Sequence, residues 1–326
     1  MTRLSLEEAE ARIAALFAAA GTSAANAASV AWALVMAEAD GLKGHGLSRV
    51  PTYLAMLKSG KIDGQAVPIA RRPKPGVLAI DAAHGFAYPA IDLAVSELPE
   101  LARAQGVVAA PIRRSNHCGA AGLHVERLAE QGLVALLFAN TPGAMAPWGG
   151  SKPVFGTNPI AFAAPLAGRE PVVIDMALSK VARGPIVAAR QKGEPIPEGW
   201  ALDAHGKSTT DPAAAIAGTM VPLGDAKGAT LAMMVEILAA ALVGTHFAFQ
   251  ASSFIDDKGG PPDTGQLILV IDPASMGGNW FAERMKLLAH AIEDQPGTRL
   301  PGTRRLNLRA KARAEGILIP EEILSA

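Results

Sequence analysis

In a chain of 326 residues, 30 basic side chains balance 30 acidic ones, which leaves neither the basic footprint of a nucleic-acid binder nor an acidic tail. Half of the residues are hydrophobic, enough for sizeable cores and, at this length, for about two domains or one large domain with insertions. The single cysteine, Cys118, excludes an internal disulfide framework, and the longest apolar run, Ala229 to Val243, is cut by Glu236 and too short for a bilayer; a cytoplasmic protein without a membrane partner is expected.

Ser5-Leu6-Glu7-Glu8 reads as a capping box, and the helix it opens runs to Gly21. A second alanine-rich helix covers about Ala24 to Ala39. A third begins near Leu47, tolerates Pro51 in its first turn, and ends by Gly60. From Val77 the pattern changes. Val77–Asp81 and Val107–Pro111 read as strands around a helix near Pro89 to Gln105. Helix Leu123–Gln131 and strands Leu133–Ala139, Ile160–Ala164 and Val172–Met176 follow. The last strands succeed one another with no helix between, which argues for antiparallel pairing. Lys227 to Val243 reads as a buried helix and Gly265 to Asp272 as a buried strand. Ala251 to Asp263, polar and rich in Gly and Pro, reads as a mobile flap. Trp280 to Asp294 is expected to be helical, as is the basic tail up to Ile317.

Two segments carry candidate chemistry. Gly44-His45-Gly46-Leu47-Ser48-Arg49-Val50-Pro51 sets an imidazole four residues ahead of a permanent cation. Phe155-Gly156-Thr157-Asn158-Pro159 is a small-residue turn bearing a hydroxyl. A histidine that moves a proton and an arginine that forks onto a carboxylate suit small organic acids. The same spacing also fits two exposed helix residues. There is no Gly-x-Gly-x-x-Gly after a strand, no P-loop, no His-Glu-x-x-His, no paired cysteines and no Gly-x-Ser-x-Gly elbow. No metal site is expected.

Taken together with Ser115-Asn116-His117, Pro153, Asp175-Met176-Ala177, Lys227-Gly228 and Arg299-Leu300-Pro301-Gly302, these motifs make the chain, almost end to end, resemble the type II malate/L-lactate dehydrogenase-like oxidoreductases. Lys227-Gly228, Met233-Met234-Val235-Glu236, Phe247-Ala248-Phe249, Thr264-Gly265-Gln266-Leu267 and Val270-Ile271-Asp272-Pro273 are most similar to the branch that reduces Δ1-piperideine- and Δ1-pyrroline-2-carboxylate. The resemblance implies an α/β fold outside the Rossmann class, with a predominantly antiparallel sheet in the cofactor domain and a helical layer from the two termini. It implies a helical layer over 1–60 completed by 281–326, a small α/β substrate-side domain over 61–115, an NAD(P)-binding domain over 116–280, and a homodimer.

Carried over residue by residue, the resemblance makes His45 the proton donor, Arg49 the clamp on the substrate carboxylate and Thr157 a substrate hydrogen bond. His117, Cys118, Gly119, Ala120 and Ala121 would form a cofactor-contacting turn. Asp175, Met176 and Ala177, then Ala226 and Lys227, then Thr298, Arg299, Leu300, Pro301, Gly302, Thr303 and Arg304 would surround the rest of the cofactor, NADPH, with NADH as the other choice. Blander roles fit some of them. His117 suits a core histidine held by a carbonyl, Lys227 a helix start, Asp175 a turn cap, and the 299–305 arginines a solvated face.

Two positions depart from the imine-reducing branch, which has Ser before the histidine and an Asp downstream; here they are Gly44 and Pro185. Neither side chain can orient an imidazole. A ketimine nitrogen is more basic than a carbonyl oxygen and can be protonated beforehand, so a weakened acid harms imine reduction less than 2-oxo-acid reduction. The expected activity is therefore NAD(P)H-dependent reduction of cyclic imino acids to L-proline or L-pipecolate. The alternatives are a 2-hydroxy-acid dehydrogenase of the malate, lactate, ureidoglycolate or sulfolactate kind and a non-catalytic nucleotide-binding relic.

Overall fold

The structure, a computed structural model, describes residues 1–278 and 280–325. The chain opens with β1 (Thr2–Leu4), α1 (Leu6–Ala19) and α2 (Ala24–Ala39), then two 3-10 turns at Lys43–His45 and Leu47–Arg49 that lead into α3 (Val50–Lys58). Next come β2 (Ile69–Lys74), β3 (Val77–Asp81), α4 (Ala87–Gln105), β4 (Val107–Ser115), α5 (Ala121–Ala129), β5 (Val134–Ala139), β6 (Ile160–Leu166) and β7 (Arg169–Met176). α6 (Arg183–Lys192), β8 (Ala201–Leu202), β9 (Ser208–Thr209), α7 (Pro212–Ala217) and β10 (Thr219–Met220) form an excursion before α8 (Ala226–Glu236), which runs on into a π turn at Ile237–Ala241. The chain closes with β11 (Thr264–Ile271), α9 (Pro273–Gly277), α10 (Trp280–Glu293), α11 (Thr303–Glu315), β12 (Ile317–Ile319) and α12 (Glu321–Leu324).

The main sheet has seven strands in the order β2-β3-β4-β11-β5-β6-β7. Only β3 and β4 are parallel, joined through α4; the other pairs are antiparallel. β11 enters the middle of the sheet from late in the chain and is buried along nearly its whole length. Its side chains alternate between two cores, as a strand period of two requires. Ile268 and Val270 pack with Ile91 and Leu98 of α4 and Val125 and Leu128 of α5. Leu267 and Leu269 face Val235 and Ala239 of α8 and its π turn. The result is a helix–sheet–helix sandwich in mixed α/β form.

A separate core unites Ile13 and Phe17 of α1, Val30 and Leu34 of α2, and Tyr53 and Met56 of α3 with Ala312 of α11 and Ile317 and Ile319 of β12. The Ser5 capping box forms both of its bonds, at 3.2 Å and 2.9 Å. α11, β12 and α12 join this layer, whereas α10 lies against β6 and packs Ala289 on Leu166 and Leu300. β1 and β12 escape sequence reading because each is three residues long and exists only as the other's partner, Thr2 opposite Ile319. α6 escapes it because Ile186 is its one buried side chain.

α11 is fastened to α2 and α5 by buried charge. Arg309 donates to Asp40 at 2.6 Å and 2.8 Å and to Glu126 at 2.7 Å, and Arg305 reaches the same two carboxylates at 2.9 Å and 2.6 Å. Burial works to raise the Glu126 pKa, but the hydrogen bonds from Arg305 and Arg309 outweigh it and hold it below the ordinary value. Breaking such a set by removing one partner strands charge in the interior. Arg309→Met should therefore cost about 3–5 kcal/mol; in urea unfolding the midpoint should fall with the slope unchanged.

Candidate active site

Strand register places the candidate residues. β4 ends at Ser115, opposite Thr264 at the start of β11; Gln266 faces Ala139 at the end of β5; Phe138 faces Ile160 at the start of β6; and Ile160 faces Met176 at the end of β7. The segments following β4, β5 and β7 and preceding β6 and β11 thus emerge at one edge of the sheet. The entrance of α3 meets them there.

His45 and Arg49 lie on the two 3-10 turns before α3. The turn is anchored to α2 by Glu38, whose carboxylate accepts the Leu47 N–H at 3.1 Å; a Cβ at Gly46 would lie 2.4 Å from that carboxylate oxygen, so only glycine fits. Arg49 donates through Nε to the Gly44 carbonyl at 2.7 Å and through Nη1 to the Phe254 carbonyl at 3.3 Å. Among the described residues it has no carboxylate partner within 4.0 Å. It is a cation held by carbonyls, ready for an anionic ligand.

The His45 ring stacks on His117, with centroids 5.3 Å apart and planes 21° off parallel. Nδ1 of His45 is buried without a hydrogen-bond partner. Gly44 has open space at its Cβ and Pro185 sits exposed in the first turn of α6, so neither supplies one. Burial, reinforced by the Arg49 charge, lowers the His45 pKa to about 4, and the ring is neutral at pH 7.

His117 is not the carbonyl-held core histidine that its position also suggests. Its Nδ1 lies 2.6 Å from the Tyr53 hydroxyl, which lies 3.0 Å from the Tyr88 hydroxyl, and both tyrosines are buried. Tyr88 has Tyr53 as its partner, so its O–H donates there. Tyr53 then donates to His117 Nδ1, and the proton of His117 resides on Nε2. Burial, then the Arg49 charge and the proximity of the titratable His45, hold the His117 pKa well below its ordinary value. Gly119, at φ 66°, brings the chain so close that a Cβ would sit 2.6 Å from the Tyr88 hydroxyl. Sequence reading missed this hydrogen-bonded pair, which comprises both tyrosines of the chain.

Thr157 faces the same edge from the turn between β5 and β6. Its N–H donates to the Thr141 hydroxyl at 2.9 Å and its own hydroxyl is 3.3 Å from that oxygen. Asn158, at φ 40°, accepts the Thr141 N–H and donates to the buried Glu236 at 2.8 Å. Glu236, which also accepts the Ala248 N–H, sits where α8 gives way to its π turn, and burial raises its pKa. A buried carboxylate missed by sequence reading thereby shapes the Phe-Gly-Thr-Asn-Pro turn.

The segments assigned to the cofactor meet along the end of β7. Asp175 accepts the Gly122 N–H at 2.8 Å in the first turn of α5, with burial pushing its carboxyl pKa up although part of the side chain meets solvent. Three residues on, Leu178 accepts the Leu223 N–H and so draws in the start of α8, with Ala226 and Lys227 exposed. Gly302, the N-cap of α11, lies against the Val173 carbonyl. α8 and α11 both begin without a side-chain cap, beside exposed Lys227 and Arg304. Such ends suit phosphate.

Not every predicted residue has a side chain free for a ligand. Cys118, Ala120 and Ala121 are buried, and burial raises the Cys118 thiol to about 12; these three offer backbone only. Leu300 packs into the core with Leu166 and Ala289, and the Thr298 hydroxyl is turned back onto its own turn at Ile292 and Gln295. Arg299, Pro301 and Met176 are exposed, and Ala177 and Thr303 half-buried. Among the described residues no group of His, Cys, Asp or Glu is arranged to hold a metal ion, and no helix is long and apolar enough to cross a membrane. In the segment 251–263, expected to form a mobile flap, Phe254 is buried with its ring 5.2 Å from that of His117.

The family described as malate/L-lactate dehydrogenase matches residues 4–326. The chain belongs to that family. It is an oxidoreductase. Among its relatives, the (2R)-3-sulfolactate dehydrogenase (NADP(+)) of Chromohalobacter salexigens is 53% identical over 98% of this chain and 96% of its own. The Δ1-pyrroline-2-carboxylate/Δ1-piperideine-2-carboxylate reductase of Pseudomonas putida is 42% identical over 99% and 95%. The crystal structure of Δ1-piperideine-2-carboxylate reductase from Pseudomonas syringae pvar. tomato superimposes with a TM-score of 0.94 at 40% identity, covering 100% of this chain and 98% of that one.

The buried neutral histidines make stability depend on acidity. His124, fully enclosed with Nε2 2.8 Å from the Cys118 carbonyl, has its pKa lowered by burial to about 4, against 6.5 when free. Above pH 6.5 folded and unfolded imidazoles are both neutral. As pH falls from 6.5 toward 4 the unfolded rings take up protons that the folded ones refuse, and stability is lost. His124 should contribute up to ~1.4 kcal/mol per pH unit in that window, and His117, also held neutral by burial, adds in the same direction. Urea unfolding from neutral to mildly acid pH should show this decline, and a level profile would contradict it.

Proposed function

We propose that this oxidoreductase is an NADP(H)-dependent dehydrogenase of small 2-hydroxy acids that bear a further anionic group or short chain, of the sulfolactate, malate or lactate kind. The observation that carries the reading is His45: neutral, stacked on His117, four residues from Arg49, with neither a partner at His45 Nδ1 nor a counter-anion to Arg49 among the described residues. A neutral imidazole is a base waiting for a hydroxyl proton, whereas reduction of a carbonyl needs a group already carrying the proton. The 53% identity to a sulfolactate dehydrogenase points the same way.

In this reading Arg49 pairs with the substrate carboxylate, a geometry that lysine would not reproduce. Thr157 donates a hydrogen bond to the substrate, and the Nε2–H of His117 steadies the oxygen on C2. His45 takes the hydroxyl proton. The nicotinamide supplies a hydride acceptor for C2, and the uncapped starts of α8 and α11 with Lys227 and Arg304 suit its phosphates. These exposed cations favour NADPH over NADH. Segments 1–60 and 61–115 then present the substrate side, residues 116–280 the cofactor side, and two copies form the working dimer.

Reduction of cyclic imino acids is the second reading. It is favoured by the 42% relative and by the fit to the piperideine-2-carboxylate reductase, and by the tolerance of an iminium for a weak acid.

The test is turnover of the purified protein with NADP+ and (2R)-3-sulfolactate, malate and lactate, against NADPH with Δ1-pyrroline- and Δ1-piperideine-2-carboxylate. Oxidation of a hydroxy acid is expected, with kcat/KM level from alkaline pH down to about 6 and falling toward pH 4 as His45 charges. Faster turnover of the imines would overturn it. The double variant Gly44→Ser/Pro185→Asp, for which Gly44 has open space, should raise the pH below which kcat/KM falls, because a hydroxyl and a carboxylate facing the ring favour its charged form. An unchanged pH profile would mean that these positions do not govern the histidine.

A further inference from the structure

Lys61 follows α3 by three residues, and its side chain is wholly enclosed. Its ammonium donates to the carbonyls of Ser253 at 2.7 Å, Asp256 at 3.1 Å and Lys258 at 2.7 Å, with a carboxylate oxygen of Asp256 at 3.7 Å. An ammonium has three protons, and all three are taken by carbonyls within six residues of one loop. The backbone has wrapped around the charge as it would around a monovalent cation. Two local turns hold that curl: the Ile255 N–H on the Ser253 hydroxyl and the Lys258 N–H on the Asp256 carboxylate. Burying an ammonium is costly unless every donor is met, so the loop conformation and the buried charge require each other.

The same curl carries Phe254. Its carbonyl accepts from Arg49, and its ring lies against His117. Arg49 stands at the entrance of α3 and Lys61 just past its exit, so α3 grips the loop at both ends. We infer that Lys61 is a positioning residue: its ammonium shapes residues 253–258 so that the Phe254 carbonyl aims the Arg49 guanidinium and the Phe254 ring closes the wall beside His117. Arg49 spans the gap between the loop and the cleft, and without the curl its fork would lose one of its two protein anchors. The kinetic part of this inference rests on the reading of Arg49 as the carboxylate clamp. The structural part does not.

The experiment uses Lys61→Ala and Lys61→Met in the full chain. Against wild type, KM for the carboxylate substrate should rise about tenfold or more while kcat changes by less than about threefold. NADPH binding, read by its fluorescence, should be unchanged. Lys61→Ala removes the equivalent of n-propylammonium, so that amine should restore a low KM, whereas tetramethylammonium, which has no N–H, should not. Hydrogen exchange over residues 251–263 gives a readout independent of any substrate: it should quicken in both variants and slow again in Lys61→Ala with propylammonium.

If wild type turns over none of the acids, the functional reading fails while the exchange arm still decides the positioning role. Unchanged exchange in both variants, or unchanged KM with an active wild type, would overturn the inference. Should Lys61→Ala not fold, Lys61→Met keeps the stem and carries the same two readouts.

Discussion

Everything at the candidate site hangs on the insertion of β11 between β4 and β5. A strand contributed 125 residues after β5 ends is buried on both faces, and its side chains feed two different cores. A slip of one residue would exchange Ile268 and Val270 for Leu267 and Leu269 and spoil both. That double penalty fixes the register. The register in turn brings Ser115, Thr264, Ala139, Ile160 and Met176 to a common edge. The catalytic candidates are carried by turns, but the turns start from points the sheet determines.

The electrostatics of that edge follow from burial more than from pairing. Arg49 is held by carbonyls, not by carboxylates, so its charge remains available. The same charge, added to desolvation, drives His45 and His117 neutral. Asp40 and Glu126, by contrast, are neutralised as a set by Arg305 and Arg309. Among the described residues Arg49 has no such carboxylate partner. In the proposed reading that leaves the cleft open to an anion and to a proton.

How much of this could be read from the chain differs by element. α2 was legible to the residue, because its alanine-rich run begins after a serine cap and ends at glycine. The strands from β3 to β7 were legible within a few residues, because their apolar runs are bounded by turns. His45, Arg49 and Thr157 were singled out through resemblance; what the structure adds is their placement at one edge of the sheet. Tyr53, Tyr88, Glu38, Glu236 and Lys61 were not, because their partners lie from 9 to 197 residues away in the chain. A buried Lys looks like any other in a sequence. Only three carbonyls closing on its nitrogen reveal that it organises a loop.

Gly44 and Pro185 then acquire a definite physical meaning. A histidine with an orienting hydroxyl and carboxylate is held in one tautomer and kept basic enough to carry a proton at neutral pH. Without them, desolvation beside Arg49 is unopposed, and the imidazole stays neutral with its tautomer free. Such a ring is poorly suited to push a proton onto a carbonyl, but it can receive one from a hydroxyl whose acidity rises as hydride departs. The loss of two side chains therefore need not mark a relic. Under the proposed reading it biases the same scaffold toward oxidation of an alcohol, with His117, braced by its two tyrosines, offering the fixed hydrogen bond that His45 lacks.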